Sequence, residues 1–171
     1  MDNNKKPIVS FRDLEVYRNS YEYSIIIMTK IIFKLPASEK YDLTDQLSRS
    51  CKAIPRLIAE GYAKRHQKFG FQKYLDDALA ESNETIVSLE QTKDIYGSFI
   101  DKNLCEELVK KYDILSKQIY TLRMAWRNFN VWIYILSSKF LTRFHTQILY
   151  SCLSLIWQPL PPPIRMIIRC Y

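Results

Sequence analysis

At 171 residues the chain is long enough for one domain with a single buried core and gives no reason to expect two. Only three glycines occur (Gly61, Gly70, Gly97), and four of the seven prolines crowd into the last thirteen residues, so long stretches run without a breaker and a turn-rich sheet protein is excluded. The formal charge of +7 is unevenly placed: residues 1–129 hold 21 Lys/Arg and 18 Asp/Glu, while 130–171 hold four basic residues and no acid.

Ser10-Phe11-Arg12-Asp13 reads as a helix N-cap with an acid at the third helical position. Behind it, Leu14, Tyr17, Tyr21, Ile25, Met28, Ile32 and Leu35 recur three or four apart, predicting a first helix that ends near Pro36. Its middle, Ile25-Ile26-Ile27-Met28, is apolar on more than one face, which predicts cover from more than one neighbour, another subunit included.

Ser38 and Asp42 both offer caps for a second helix with the stripe Leu47, Cys51, Ile54, Ile58 and Tyr62. Pro55 lies inside it, deletes the bond to the Cys51 carbonyl and costs up to about 3 kcal/mol unless packing absorbs it. The third helix is expected over about Phe69–Tyr96, with Phe71, Leu75, Ala78, Ser82, Ile86 and Leu89 inward, a close helix crossing at Ala78 and Ser82, and Gly97 as its stop. Asp101 caps a fourth, where Leu104, Leu108, Tyr112, Leu115, Ile119, Leu122, Trp126 and Phe129 follow a near-heptad spacing. Four long helices with short connections predict an all-α, antiparallel up-down four-helix bundle over residues 1–129.

The chain holds no glycine-rich phosphate loop, no pair of histidines on one helical turn and no glycine-flanked serine nucleophile, so no enzyme is expected. Cys51, Cys105, Cys152 and Cys170 stand alone in sequence with no close Cys/Cys or Cys/His pairing, suggest neither a zinc site nor a disulfide framework, and read as small buried apolar residues. No metal or other cofactor is expected. The N-terminus MDNNKKPIVSF lacks the apolar run of a secretory signal, which makes a cytoplasmic location the expectation.

The feature that points to a partner is basic. Arg49, Lys52, Arg56, Lys64, Arg65, Lys68 and Lys73 are opposed only by Glu60 before the sequence turns acidic at Asp76-Asp77. On the second helix Arg49, Lys52 and Arg56 fall three and four apart, opposite the apolar stripe, and form one cationic edge. Such an edge, continued into the following connection, suits a phosphate backbone, with Tyr62 or Phe69 available to stack on a base. The alternative is a protein scaffold whose basic edge meets an acidic partner, and the plainest reading is a solvated helix face.

The segments Phe11-Arg12-Asp13-Leu14-Glu15-Val16-Tyr17, Leu35-Pro36, Leu43-Thr44-Asp45-Gln46-Leu47-Ser48-Arg49-Ser50 and Ala53-Ile54-Pro55-Arg56-Leu57-Ile58-Ala59-Glu60-Gly61-Tyr62, with Phe71 through Leu75 leading to Ala78 and Glu84, resemble the four-helix-bundle proteins encoded by intervening sequences in bacterial 23S ribosomal RNA genes, also called S23 ribosomal proteins. The likeness covers about residues 10–128. Its most specific element resembles that family's Ser-Ile-Pro-x-Asn-Ile-Ala-Glu-Gly, with Ala53 and Leu57 here in place of the serine and asparagine. In the third helix, Ala78-Leu79-Ala80-Glu81-Ser82 departs from the family's Ala-x-Gly-Ser, with alanine for a close-packing glycine. The resemblance implies a homo-oligomer, pentameric rings being the known arrangement. It also implies kinship with accessory proteins of diversity-generating retroelements, in which a basic ring binds nucleic acid and a reverse transcriptase.

The apolar spacing runs on past Phe129 through Ile133, Leu136, Phe140 and Phe144, yet the acid-free composition sets 130–171 apart. The uncharged run from Thr146 gives only 12 residues to Trp157, against roughly 20 for a membrane-crossing helix, so no span is expected. A basic amphipathic segment on a membrane surface is one reading of this tail. The preferred one is sequence outside the functional domain, such as a shifted or extended reading frame.

Overall fold

A computed structural model describes residues 8–67 and 69–141 of the chain, with side chains up to residue 127. Among these residues the long elements are α1 (Glu15–Lys30), α2 (Leu43–Ala63), α3 (Gly70–Tyr96) and α4 (Lys102–Leu141), with short 3-10 turns before and after α1 and no strand. The protein is all-α. It divides into two compact units, 1–123 and 124–171, and the site described below lies in the first. The boundary expected at 129 falls inside α4, while residues 142–171 lie outside those described.

The Ser10/Asp13 capping box forms as expected: the Ser10 hydroxyl accepts from the Arg12 amide at 3.3 Å, and the Asp13 carboxylate accepts from the Ser10 amide at 2.7 Å. It closes a 3-10 turn, Phe11–Asp13, instead of opening the helix. Leu14 then swings to extended backbone (ψ 125), and α1 starts one residue later. At its other end α1 stops at Lys30. The chain tightens into Ile32–Lys34 and straightens at Leu35, the residue that Pro36 forces out of helical geometry.

α1 also buries a different face from the expected one. Its inward positions are Val16, Ser20, Ser24, Ile27 and Ile31, while Tyr21 and Ile25 are exposed and Tyr17 and Met28 only half-buried. The two serines tolerate burial because each donates to a carbonyl of its own helix, Ser20 to Tyr17 at 2.9 Å and Ser24 to Tyr21 at 2.7 Å. Small inward residues bring the backbone close to the core, and the larger side chains move to the flank.

α2 matches expectation and so does the middle of α4, while Leu104, Leu122 and Trp126 are half-buried and the Phe129 side chain lies outside those described. Leu47, Cys51, Ile54 and Ile58 on α2, with Leu108, Tyr112, Leu115 and Ile119 on α4, are fully buried. Cys51 and Cys105 are buried small residues, and burial pushes both thiols up to about 11, far from reactive thiolates. Asp101 caps α4 through the Asn103 and Leu104 amides at 3.0 and 3.3 Å. Asp42, at the start of α2, makes no such bond and instead accepts from the Gln46 side chain at 3.3 Å.

α3 begins at Gly70, one residue past the expected start, and buries Ala78, Ser82, Thr85, Ser88 and Thr92 along one side. Such small polar residues permit close crossings. Ser82 meets Ser116 of α4 at 2.9 Å, and Thr85 donates to Ser50 of α2 at 2.9 Å. Side-chain pairs set the sense of the crossings. Between α3 and α4, Lys93 meets Glu106, Ser82 meets Ser116 and Asp76 meets Arg123; between α2 and α3, Ser50 meets Thr85 and Tyr62 meets Phe71. In both series residue numbers rise along one helix as they fall along the other, the antiparallel sense. Gly97 follows α3 with an ordinary right-handed φ of −62°. Its missing side chain matters for space, since a Cβ there would lie 2.5 Å from the Lys93 carbonyl oxygen.

One core group is poorly served. The Tyr112 hydroxyl is fully buried without a hydrogen-bond partner among the described residues, and burial drives its pKa far above the usual phenol range. An unsatisfied buried hydroxyl costs about 1–3 kcal/mol. Tyr112→Phe is therefore expected to raise the unfolding free energy by about 1 kcal/mol, read by urea denaturation.

Candidate nucleic-acid interface

The seven basic residues read from the sequence do not form one continuous strip. Lys68 lies outside the described residues. The others separate into three groups according to what their charged ends touch.

The first is a closed cluster at the end of α2. Lys64 donates to Glu60 at 2.8 Å and also to the Tyr74 hydroxyl, which itself donates to Glu60 at 2.8 Å. Lys64 is thereby engaged inside the protein. The two bonds to Glu60 hold its carboxyl below the ordinary range, and the same partners hold the Lys64 ammonium above its own. The sign follows: a lowered carboxyl pKa adds stability at neutral pH that is lost as pH falls through it. NMR titration is expected to place Glu60 below a free glutamate in the wild type and to move it upward in Lys64→Met. Gly61 makes the cluster possible, because a Cβ there would lie 2.6 Å from the Tyr74 Cβ and 2.9 Å from the Phe71 ring.

The second group lies on the α2 flank beside α3. Arg49 pairs with Asp45 at 3.4 Å, with 77% of its side chain exposed, and the Arg56 guanidinium reaches back to the Lys52 carbonyl at 3.1 Å. Exposed pairs of this kind contribute little stability. More consequential is Glu81 of α3, which both arginines influence electrostatically. The sequence placed Glu60 alone against the basic run; the antiparallel α2/α3 register adds Glu81. Ala53, Arg56, Leu57, Glu60 and Glu81 line a furrow of about 250 Å³.

The third group is at the α2–α3 turn. Arg65 is exposed, stacks its guanidinium 4.2 Å over the Tyr62 ring and donates to the Tyr62 carbonyl at 2.9 Å, leaving part of its donor fork facing solvent. Lys73, in the first turn of α3, is exposed, as is Lys52 on the outer side of α2. Between Arg65 and Lys73 sits Phe69, 54% exposed and held at φ 60°, a left-handed conformation that side-chain-bearing residues seldom adopt. Gly70 beside it is helical, and its missing side chain matters for space, since a Cβ there would overlap the Lys64 carbonyl oxygen. A half-exposed aromatic ring at about 1 kcal/mol of backbone strain, with a basic residue four positions away on either side in sequence, has the chemistry of a stacking platform beside phosphate contacts. Tyr62, the other ring considered for stacking, is buried against Phe71 and under Arg65.

Among the described residues no group of three His, Cys, Asp or Glu side chains is placed to hold a metal ion, and no helix is long and apolar enough to cross a membrane. The buried helix faces and the α2–α3 turn lie within a stretch that a known family model covers: the model for 23S rRNA-intervening sequence proteins matches residues 12–121. The chain belongs to this family. The match spans α1, α2 and α3 and reaches into α4, so the cluster around Glu60 and Gly61, the furrow and the turn all fall inside the family region. A search of curated proteins finds no match.

Proposed function

We propose that this family member is a non-catalytic, cytoplasmic, homo-oligomeric helical bundle that binds nucleic acid through the α2–α3 turn. The observation carrying the reading is Phe69, exposed at positive φ between Arg65 and Lys73. The cations supply sequence-independent attraction to phosphate, and the ring supplies a face on which any base stacks. Lys52 extends the basic surface along α2. Arg49 and Arg56 contribute less to the anion's side of the molecule, because the field of Glu81 opposes them.

Fluorescence anisotropy with labelled single-stranded and structured RNA and DNA tests this reading. Each of Lys52→Glu, Arg65→Glu and Lys73→Glu is expected to weaken binding and to flatten the log–log salt dependence by roughly 0.7 on a single strand and roughly 0.9 on a duplex. Phe69→Gly is expected to separate stacking from folding. It relieves the left-handed strain, leaving stability unchanged or higher by up to about 1 kcal/mol, yet weakens binding to single strands. Binding indifferent to all four changes, or recovery from the native host of a bound protein with no nucleic acid, would overturn the reading.

A further inference from the structure

The two sides of α2 differ in what the neighbouring helix sets beside them. Ala53, Leu57 and Glu60 line the furrow with Glu81, and Glu60 bonds Tyr74, so that side faces α3 and its acids. At 3.6 residues per turn Ser48, Lys52 and Ala59 fall on the other side, where α2 packs on α1. α1 sorts its residues in the same way. Glu15 and Asn19 reach Gln118 of α4 at 3.5 and 3.4 Å, and the Tyr23 ring lies against Tyr112, which marks the α4 side. Tyr17 and Tyr21, one turn apart, fall on the α2 side. The Asn19–Gln118, Ser82–Ser116 and Thr85–Ser50 contacts, followed from helix to helix, set Tyr21 and Lys52 at about one height in the bundle.

The rings there form a ladder. Tyr21 is 53% exposed and stacks on Tyr17 with centroids 6.1 Å apart and planes within 21°. Tyr17 meets Phe11 edge-on at 4.8 Å, and the Arg12 guanidinium lies 4.6 Å over the Phe11 ring. The turn that holds Phe11 and Arg12 packs on both α1 and α2, and it leads toward the end of α2 where Arg65 stands. The face is cationic. Arg12, Arg18 and Lys52 are exposed on it, whereas the nearby acids are turned away or engaged. Asp13 accepts from the Val9 and Ser10 amides at 3.0 and 2.7 Å, and Asp45 pairs with Arg49 at 3.4 Å. Glu15 and Glu22 belong to the α4 side, the first through Gln118 and the second through its field on Lys111.

We infer that the α1/α2 face is a track for single-stranded nucleic acid, which continues from the α2–α3 turn so that a base extends the Tyr17–Tyr21 stack while a phosphate meets Lys52. A base–aromatic stack needs a base whose face is free. A single strand supplies one and a duplex does not, because its bases already stack on each other. The α3 side of α2 suits the strand less, since Glu81 repels phosphate there. Lys52 is already one of the cations of the proposed site, so the track adds rings more than charge and makes the protein prefer single strands to duplexes.

This rests on the proposed function, and the test separates the two. Full-length wild type, Tyr21→Ala, Tyr21→Phe and Lys73→Glu are titrated by fluorescence anisotropy against labelled oligothymidylate of about 16 nucleotides and against a duplex of the same length. Circular dichroism checks that each is folded. Tyr21→Ala is expected to lose about 5- to 100-fold in affinity for the single strand and to bind the duplex as the wild type does. Tyr21→Phe keeps the ring and is expected to keep the affinity. A strand carrying 5-iodouracil reads the same contact without a mutation: irradiated on the wild type, it is expected to crosslink to the peptide that holds Tyr17 and Tyr21. Tyr21→Ala binding the single strand at wild-type affinity, while Lys73→Glu is weakened, overturns the track and leaves the turn standing. Equal losses on strand and duplex, or crosslinks confined to the turn, do the same. A wild type that binds no single strand at low salt overturns both.

Discussion

Gly61→Ala is expected to lower the unfolding free energy by about 1–3 kcal/mol, although glycine to alanine within a helix is ordinarily stabilising by up to about 1 kcal/mol. The inversion comes from space. The added methyl would lie 2.6 Å from the Tyr74 Cβ, which is anchored to its own backbone, and 2.9 Å from the Phe71 ring. Neither can swing away as the end of a long side chain would, so α2 and α3 must separate locally. That separation also pulls Tyr74 from Glu60 and Lys64, so the Glu60 carboxyl should return toward its ordinary pKa in the same variant. Urea denaturation gives the first number and NMR titration the second. A variant as stable as the wild type with Glu60 unmoved would contradict the packing described.

Phe71→Ala is expected to cost more, about 3–5 kcal/mol by the same denaturation measurement. Phe71 is 1% exposed and packs edge-on to Tyr62 at 6.1 Å between ring centres, closing the core where α2 and α3 meet. Its loss leaves a cavity beneath the turn that carries Phe69, so binding should fall with stability. The two changes are neighbours and will not add. Removing the Phe71 ring opens one of the two contacts that exclude a methyl at Gly61, and the double variant is expected to be less destabilised than the sum of the two.

Much of the fold was legible because α2 and α4 advertise their inner faces with large apolar residues. Leu47, Cys51, Ile54 and Ile58 on α2 and Leu108, Tyr112, Leu115 and Ile119 on α4 are buried as their spacing predicts. α1 misled for a physical reason. Its inner face holds Ser20 and Ser24, which satisfy themselves on their own helix, so the larger Tyr21 and Ile25 marked an exposed flank.

The site was legible only in part. A run of cations in sequence says nothing of the opposing helix, and Glu81 entered only through the antiparallel register of α2 against α3. The Glu60–Lys64 spacing of four was readable as an ion pair, but Tyr74, which completes the cluster, lies fourteen residues from Glu60. The sequence offers Phe69 as an available ring. Its left-handed backbone was not foreseeable, since Gly70 is the residue that the turn would be expected to place there.

The salt dependence of nucleic-acid binding tests the central claim most directly. With Lys52, Arg65 and Lys73 each meeting one phosphate per subunit, the plot of log affinity against log salt concentration for a single-stranded probe is expected to fall with a slope of about −2, at roughly 0.7 per contact. Phe69→Gly should lower the affinity without changing that slope. No binding at low salt, or affinity that stays level as salt rises, would contradict a protein that holds nucleic acid through these cations.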